Sequence, residues 1–136
     1  MKKLLLLAFA AGLLVTMSCK KESVSEQFRL LTAHEWTSDS LLVNKVDQSG
    51  PGQMLEKFKG DAVFNTDGTG SFGQFSGTWR FAHDETYVVI ESEDLDVPIS
   101  PEIILLTATE LKVKTIYPNL VNPSEPLNIR MTFKAK

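Results

Sequence analysis

At 136 residues, with 43% hydrophobic and 23% charged side chains, the chain is long enough to bury one core and too short for two domains. Its single cysteine excludes a disulfide scaffold and a cysteine-rich zinc module. A formal net charge of −3 excludes nucleic acid as a main partner, because no basic surplus offsets the phosphates.

The chain opens with Lys2 and Lys3 and continues into the apolar run Leu4–Met17. That run is too short for a bilayer core, which takes about 20 residues. A charged start, a short apolar stretch and the small Ser18 are the parts of an export signal over residues 1–18. Cys19, the only cysteine, follows directly. Residues 19–33 then read as a linker and short helix, and residues 34–136 as the folded domain. Loss of Lys2 and Lys3 leaves the remainder with a net charge of −5. An anionic membrane surface repels such a body, so it is expected to project away from one.

Ser23-Val24-Ser25-Glu26 predicts a helix start in which Ser23 caps and Glu26 reaches back. Phe28, Leu30 and Leu31 follow at helical spacing, and the helix is expected to end near Ala33 and to close one end of the domain. From Trp36 onward the hydrophobic period is two. Strands are predicted over 36–43, 57–65, 71–75, 77–82, 86–91, 102–107, 111–117 and 128–134, with turns at Ser49–Gly52, Thr66–Gly70, His83–Glu85 and Thr109–Glu110. Asp67-Gly68 between two strand patterns is the strongest hairpin signal. Short strands joined by hairpins, with no helices between them, predict an all-β antiparallel sandwich or barrel. Alternation places Phe58, Gly60, Ala62 and Phe64 on one face, as it does Trp79 with Phe81, Leu111 with Val113 and Tyr117, and Ile129 with Met131 and Phe133. Arg80 and Arg130 fall on the opposite, solvent-facing phase.

Two stretches carry a family resemblance. Thr16-Met17-Ser18-Cys19 resembles the lipobox of bacterial lipoproteins, with Thr16 standing where that pattern prefers leucine. This resemblance implies that Cys19 becomes the N-terminus and carries lipid, anchoring the protein in the cell envelope, at the outer membrane, facing the periplasm or the surface. Further along, Leu30-Leu31-Thr32-Ala33-His34-Glu35-Trp36, Phe64-Asn65-Thr66-Asp67-Gly68-Thr69, Gly77-Thr78-Trp79 and Leu106-Thr107-Ala108-Thr109-Glu110-Leu111 follow one another in the order found in the lipocalin-like lipoproteins of Bacteroidota, which the chain resembles. The implied fold is an antiparallel up-and-down barrel of about eight strands with a short N-terminal helix. The Gly-x-Trp that opens true lipocalins is replaced here by His34-Glu35-Trp36.

No catalytic or cofactor-binding motif is present, and neither an enzyme nor a cofactor is expected. His34 and His83 have no partner at ligand spacing, and no metal site is expected. The acidic run Glu91, Glu93, Asp94 and Asp96 lacks the glycine and spacing of a calcium loop and reads as a solvated loop. Trp36 and Trp79 read as core residues plugging the barrel. An interior cavity, where the barrel leaves one, is expected to be lined by Phe58, Ala62, Phe64, Trp79, Leu111 and Met131, with Ser38, Ser40 or Tyr117 orienting a ligand. Two functions follow. In one the barrel carries a small apolar or amphipathic ligand. In the other it is filled with side chains and meets an envelope protein partner.

Overall fold

The computed structural model describes residues 24–136; the expected export signal over residues 1–18, Cys19 and Ser23 lie outside them. Helix α1 spans Glu26–Thr32. Its N-cap is Ser25, two residues later than the predicted Ser23: the Ser25 hydroxyl accepts from the Phe28 N–H at 3.1 Å and donates to the Glu85 carboxylate at 2.7 Å. Glu26 therefore stands in the first turn and pairs with Arg29 instead of reaching back. This phase turns Leu31 wholly inward and sets the Phe28 ring 5.6 Å from that of Trp79, so α1 does close an end of the domain. No helix among the described residues is long and apolar enough to cross a membrane.

Nine strands follow: β1 Trp36–Val43, β2 Val46–Asp47, β3 Asp61–Phe64, β4 Thr69–Phe72, β5 Phe75–Ala82, β6 Tyr87–Glu91, β7 Glu102–Leu106, β8 Glu110–Tyr117 and β9 Leu127–Ala135. All pairings are antiparallel, and the order runs β1-β3-β4-β5-β6-β7-β8-β9 before β9 returns to β1, from Trp36↔Ala135 to Val43↔Ile129. The result is a closed eight-stranded barrel with one short helix, and closure removes the open edges of the main sheet. β2 hangs outside the ring, paired only to β1.

Eight strands match the predicted ones in order, and the differences in bounds have local causes. The strand expected over 71–75 is split by a tight turn at Gly73–Gln74, so β4 ends at Phe72 and Phe75 opens β5. The strand expected over 57–65 begins only at Asp61, because Glu56–Phe58 form a 3-10 turn. Gly60 is not an inward strand residue. It sits at φ +118°, a conformation that favours glycine, and its backbone exchanges hydrogen bonds of 2.9 Å with Ser38, donating to the Ser38 hydroxyl and accepting from the Ser38 N–H. β1 keeps its predicted bounds, but its ladder with β9 slips between Ser38 and Ser40. The bulge at Asp39 shifts the inward phase from Trp36 to Leu41 and Val43. β2 follows a two-residue turn in which Asn44 and Lys45 are both left-handed, the geometry that matches strand twist.

The turn between β3 and β4 meets the Asp-Gly expectation. Gly68 is left-handed at φ +86°, the Asn65 N–H donates to the Thr69 carbonyl, and Asp67 Oδ1 accepts from both the N–H and the hydroxyl of Thr69 at 2.9 and 2.6 Å. These bonds, the hydroxyl's first, lower the Asp67 carboxyl below its ordinary value. A lowered carboxylate stabilises the folded state above its unfolded value, near 3.9, and that contribution fades as pH falls through the folded value. Thr69→Val removes the hydroxyl donor, so the Asp67 titration followed by carboxyl NMR is expected to move up toward the ordinary range. An unchanged midpoint would show that the hydroxyl does not set it.

Candidate functional site

The barrel interior is assembled from the inward faces of the ring strands, to which β7 adds only the partly buried Ile103 and Leu106. Trp36, Leu41, Ala62, Phe64, Phe72, Phe75, Trp79, Val88, Ile90, Leu111, Val113, Ile129, Met131 and Phe133 are all buried, and Leu31 and Leu55 add to them from α1 and the loop before the 3-10 turn. No polar or charged residue among the described ones is buried. The two indoles still satisfy their donors. Trp36 Nε1 donates to the Leu31 carbonyl and Trp79 Nε1 to that of Asn65, each at 3.0 Å. Both tryptophans are core, as expected of them.

Of the six residues expected to line a cavity, five meet around one interior void: Phe58, Ala62, Phe64, Leu111 and Met131. Phe58 reaches it from the 3-10 turn rather than from a strand, its ring 4.8 Å from Phe75. Trp79 lies elsewhere, under α1, within 5.4–5.6 Å of Phe28, Phe64 and Phe81. The void measures about 30 Å³, whereas small-molecule sites occupy roughly 300–1,000 Å³. Its walls are apolar, with no donor to orient a guest. Ser38 and Ser40 line a shallow hollow on the outside with Asp39, Asp47 and Lys59, and Tyr117 is 39% exposed at the end of β8. The predicted orienting hydroxyls therefore do not face the void.

Filling that void is itself measurable. Ala62 is buried against it, and a phenylalanine ring needs more room than it offers. Ala62→Phe is expected to destabilise the barrel by about 1–3 kcal/mol through overpacking, read from the shift in urea midpoint. A neutral or stabilised variant would reveal a roomier interior.

A larger concavity lies on the outside. A groove of about 640 Å³ runs over β7, β8 and β9 beneath the β1–β2 turn, lined by Asn44, Lys45, Tyr87, Glu102, Lys114, Ile116, Asn128 and Arg130 among others. Its floor follows from register: Tyr87 pairs with Glu102, Glu102 with Lys114, Lys114 with Arg130, and Arg130 with Leu42. Residues in one cross-strand row project from the same face, so one row carries an aromatic ring, a carboxylate and two cations. Lys114 Nζ lies 3.3 Å from Glu102. Lys45 stands over the groove on its left-handed turn, which is pinned to β9: the Asn44 N–H donates to the Asn128 carbonyl at 2.8 Å, and the Asn128 N–H donates to the Asn44 side chain at 3.0 Å.

Sequence reasoning placed Arg130 on the solvent side and gave the groove no role. Its residues come from five separate segments, and only the strand register brings them into one row. The acidic run leaves the end of β6 as a surface loop, with Glu93, Asp94 and Asp96 exposed.

Fold and interior together define the class: a closed eight-stranded antiparallel β-barrel with a short capping helix and an interior filled with side chains. No family model matches the chain, and no curated protein matches it either.

Proposed function

We propose that this chain is an envelope lipoprotein of the lipocalin-like type, anchored through lipid on Cys19, whose barrel is a packed scaffold and not a carrier. Its binding is done on the outer surface. The observation that carries this reading is the 30 Å³ interior void: a space of that size holds about one water and no ligand of ordinary size. The export segment and the lipobox resemblance support the anchor, and multiple acyl chains would make it durable where a single chain is marginal. From Cys19 to the helix cap at Ser25 the linker reaches at most about 21 Å, so the barrel stands close to the membrane.

Mass spectrometry of the full chain, expressed in a bacterium that processes lipoproteins and extracted from its envelope, tests both parts. The denatured mass is expected to be that of a chain beginning at Cys19 plus acyl groups, and the native mass of the folded protein to equal it. An unmodified Cys19 would overturn the anchor. A stoichiometric extra mass that is lost on denaturation and kept by Arg130→Gln, a substitution outside the barrel interior, would restore the carrier reading.

A further inference from the structure

We propose that the outer groove is a binding site for a small amphipathic organic anion, whose carboxylate or phosphate is held by Arg130 and Lys45 and whose apolar part lies on Tyr87 and Ile116. This deepens the surface-binding reading above and rests on it only in taking the interior as filled.

Charge points to the sign of the ligand. Acids outnumber bases 17 to 14 in this chain. Yet Lys45, Lys112, Lys114, Arg130 and Lys134 gather on or beside the outer face of β8 and β9, where the ladder sets Glu102 and Glu110 among them and Asp47 one strand beyond, past Leu42. Glu102 is engaged by Lys114. Among the described residues neither Lys45 nor Arg130 has an ion-pair partner. With Glu102 neutralised by Lys114, the groove keeps a positive surplus from Lys45 and Arg130, and such a concave surface focuses the field and concentrates anions.

Shape and chemistry narrow the class. A volume of about 640 Å³ suits a small molecule. The Arg130 guanidinium offers a planar fork that matches a carboxylate or phosphate in two parallel hydrogen bonds, and Lys45 adds a movable point charge. Arg130 is set on a strand paired on both sides, by Leu42 and Lys114, so its backbone is fixed before any ligand arrives. Lys45 is held by the Asn44–Asn128 bonds. The apolar half of the ligand meets the half-buried Tyr87 ring, Ile116 at 68% exposure, and the aliphatic stems of the lysines. An exposed isoleucine beside free cations is the composition an amphipathic anion covers well.

Amide NMR of the full chain in a nonionic detergent, titrated separately with phenyl phosphate, benzoate and inorganic phosphate, tests the site. Phenyl phosphate and benzoate are expected to give saturable shifts at Lys45, Lys114, Ile116, Asn128 and Arg130. Inorganic phosphate is expected to bind the same residues several-fold more weakly, because it leaves Tyr87 and Ile116 uncovered. Arg130→Gln should weaken phenyl phosphate at least tenfold, and Lys45→Gln, in an exposed turn, several-fold with the spectrum otherwise intact. Arg80→Gln, on the outer face of β5, should change nothing. Shifts that never saturate, or that survive both groove substitutions, would overturn the proposal. With no shifts at all the groove proposal fails while the packed-scaffold reading stands. Shifts centred on Ala62, Leu111 and Met131 would sink both.

Discussion

Gly77→Ala is expected to cost on the order of 3 kcal/mol or more and to leave the barrel largely unfolded under mild denaturation. Gly77 lies in β5, opposite Gly70 of β4 and one residue from the Thr78↔Glu91 pair with β6. A methyl group there would fall inside the contact radius of the Glu91 carbonyl oxygen, 2.9 Å from its carbon and 3.0 Å from Ser92 Cα. These are backbone atoms in a paired strand and cannot swing aside as a side chain does. Accommodating the methyl means parting β5 from β6, with loss of their ladder and a gap beside Trp79 and Ile90. Gly70 is constrained in the same way, by the Val63 carbonyl and the Phe72 ring, so the two glycines mark where four strands, β3 to β6, crowd together. Gly50→Ala is the control. The added methyl meets only the flexible end of Gln53, and a change within about 0.5 kcal/mol is expected. At a slope of roughly 1–3 kcal/mol per molar urea, Gly77→Ala should move the midpoint by a molar unit or more. A shift as small as the control's would mean that the strands part freely.

The second large effect belongs to Trp36. It is fully buried, it is the residue at which β1 meets both β3 and β9, and its indole N–H holds the Leu31 carbonyl at the end of α1. Trp36→Ala removes the ring and the donor together and is expected to cost about 3–5 kcal/mol. Trp36→Phe keeps most of the packing but leaves a carbonyl without its partner, for about 1–3 kcal/mol. The chain has two tryptophans, so either variant leaves Trp79 as the sole indole reporter of unfolding. Because α1 would lose its tether, trypsin should also cut at Arg29 well before the barrel opens. If Trp36→Ala cost under 1 kcal/mol and left Arg29 protected, α1 would be held by something else.

How far the sequence announced this arrangement depends on the distance over which each signal acts. Alternation is local, and it identified Trp79, Leu111, Val113, Ile129, Met131 and Phe133 as inward, but it named none of the inward residues of β6 and β7 and wrongly turned in Tyr117, which is 39% exposed at the end of β8. It failed where one residue changes the phase. The bulge at Asp39 turns Leu41 inward after Trp36, and the 3-10 turn at Glu56–Phe58 replaces the first half of an expected strand. Both leave the hydrophobic count unchanged and alter only geometry. β2 escaped notice because two residues carry no period. Interior volume was beyond reach for a different reason: it depends on how side chains from seven separate segments pack, Phe58 among them from the 3-10 turn, and no local pattern reports that. The groove was the least legible. Tyr87, Glu102, Lys114 and Arg130 mean nothing as a set until the register of four strands aligns them.

The closing ladder between β1 and β9 imposes an order of events on the making of this molecule. Trp36 finds Ala135, and Val43 finds Ile129, only after every strand between them has been synthesised. Until then β1 and β8 both present unpaired edges, and no partial chain can complete the ring. Contacts so far apart in sequence form slowly. A nascent chain of this design stays open and threadable for as long as it is being made, the state in which a polypeptide can be passed through a narrow pore before it folds on the other side.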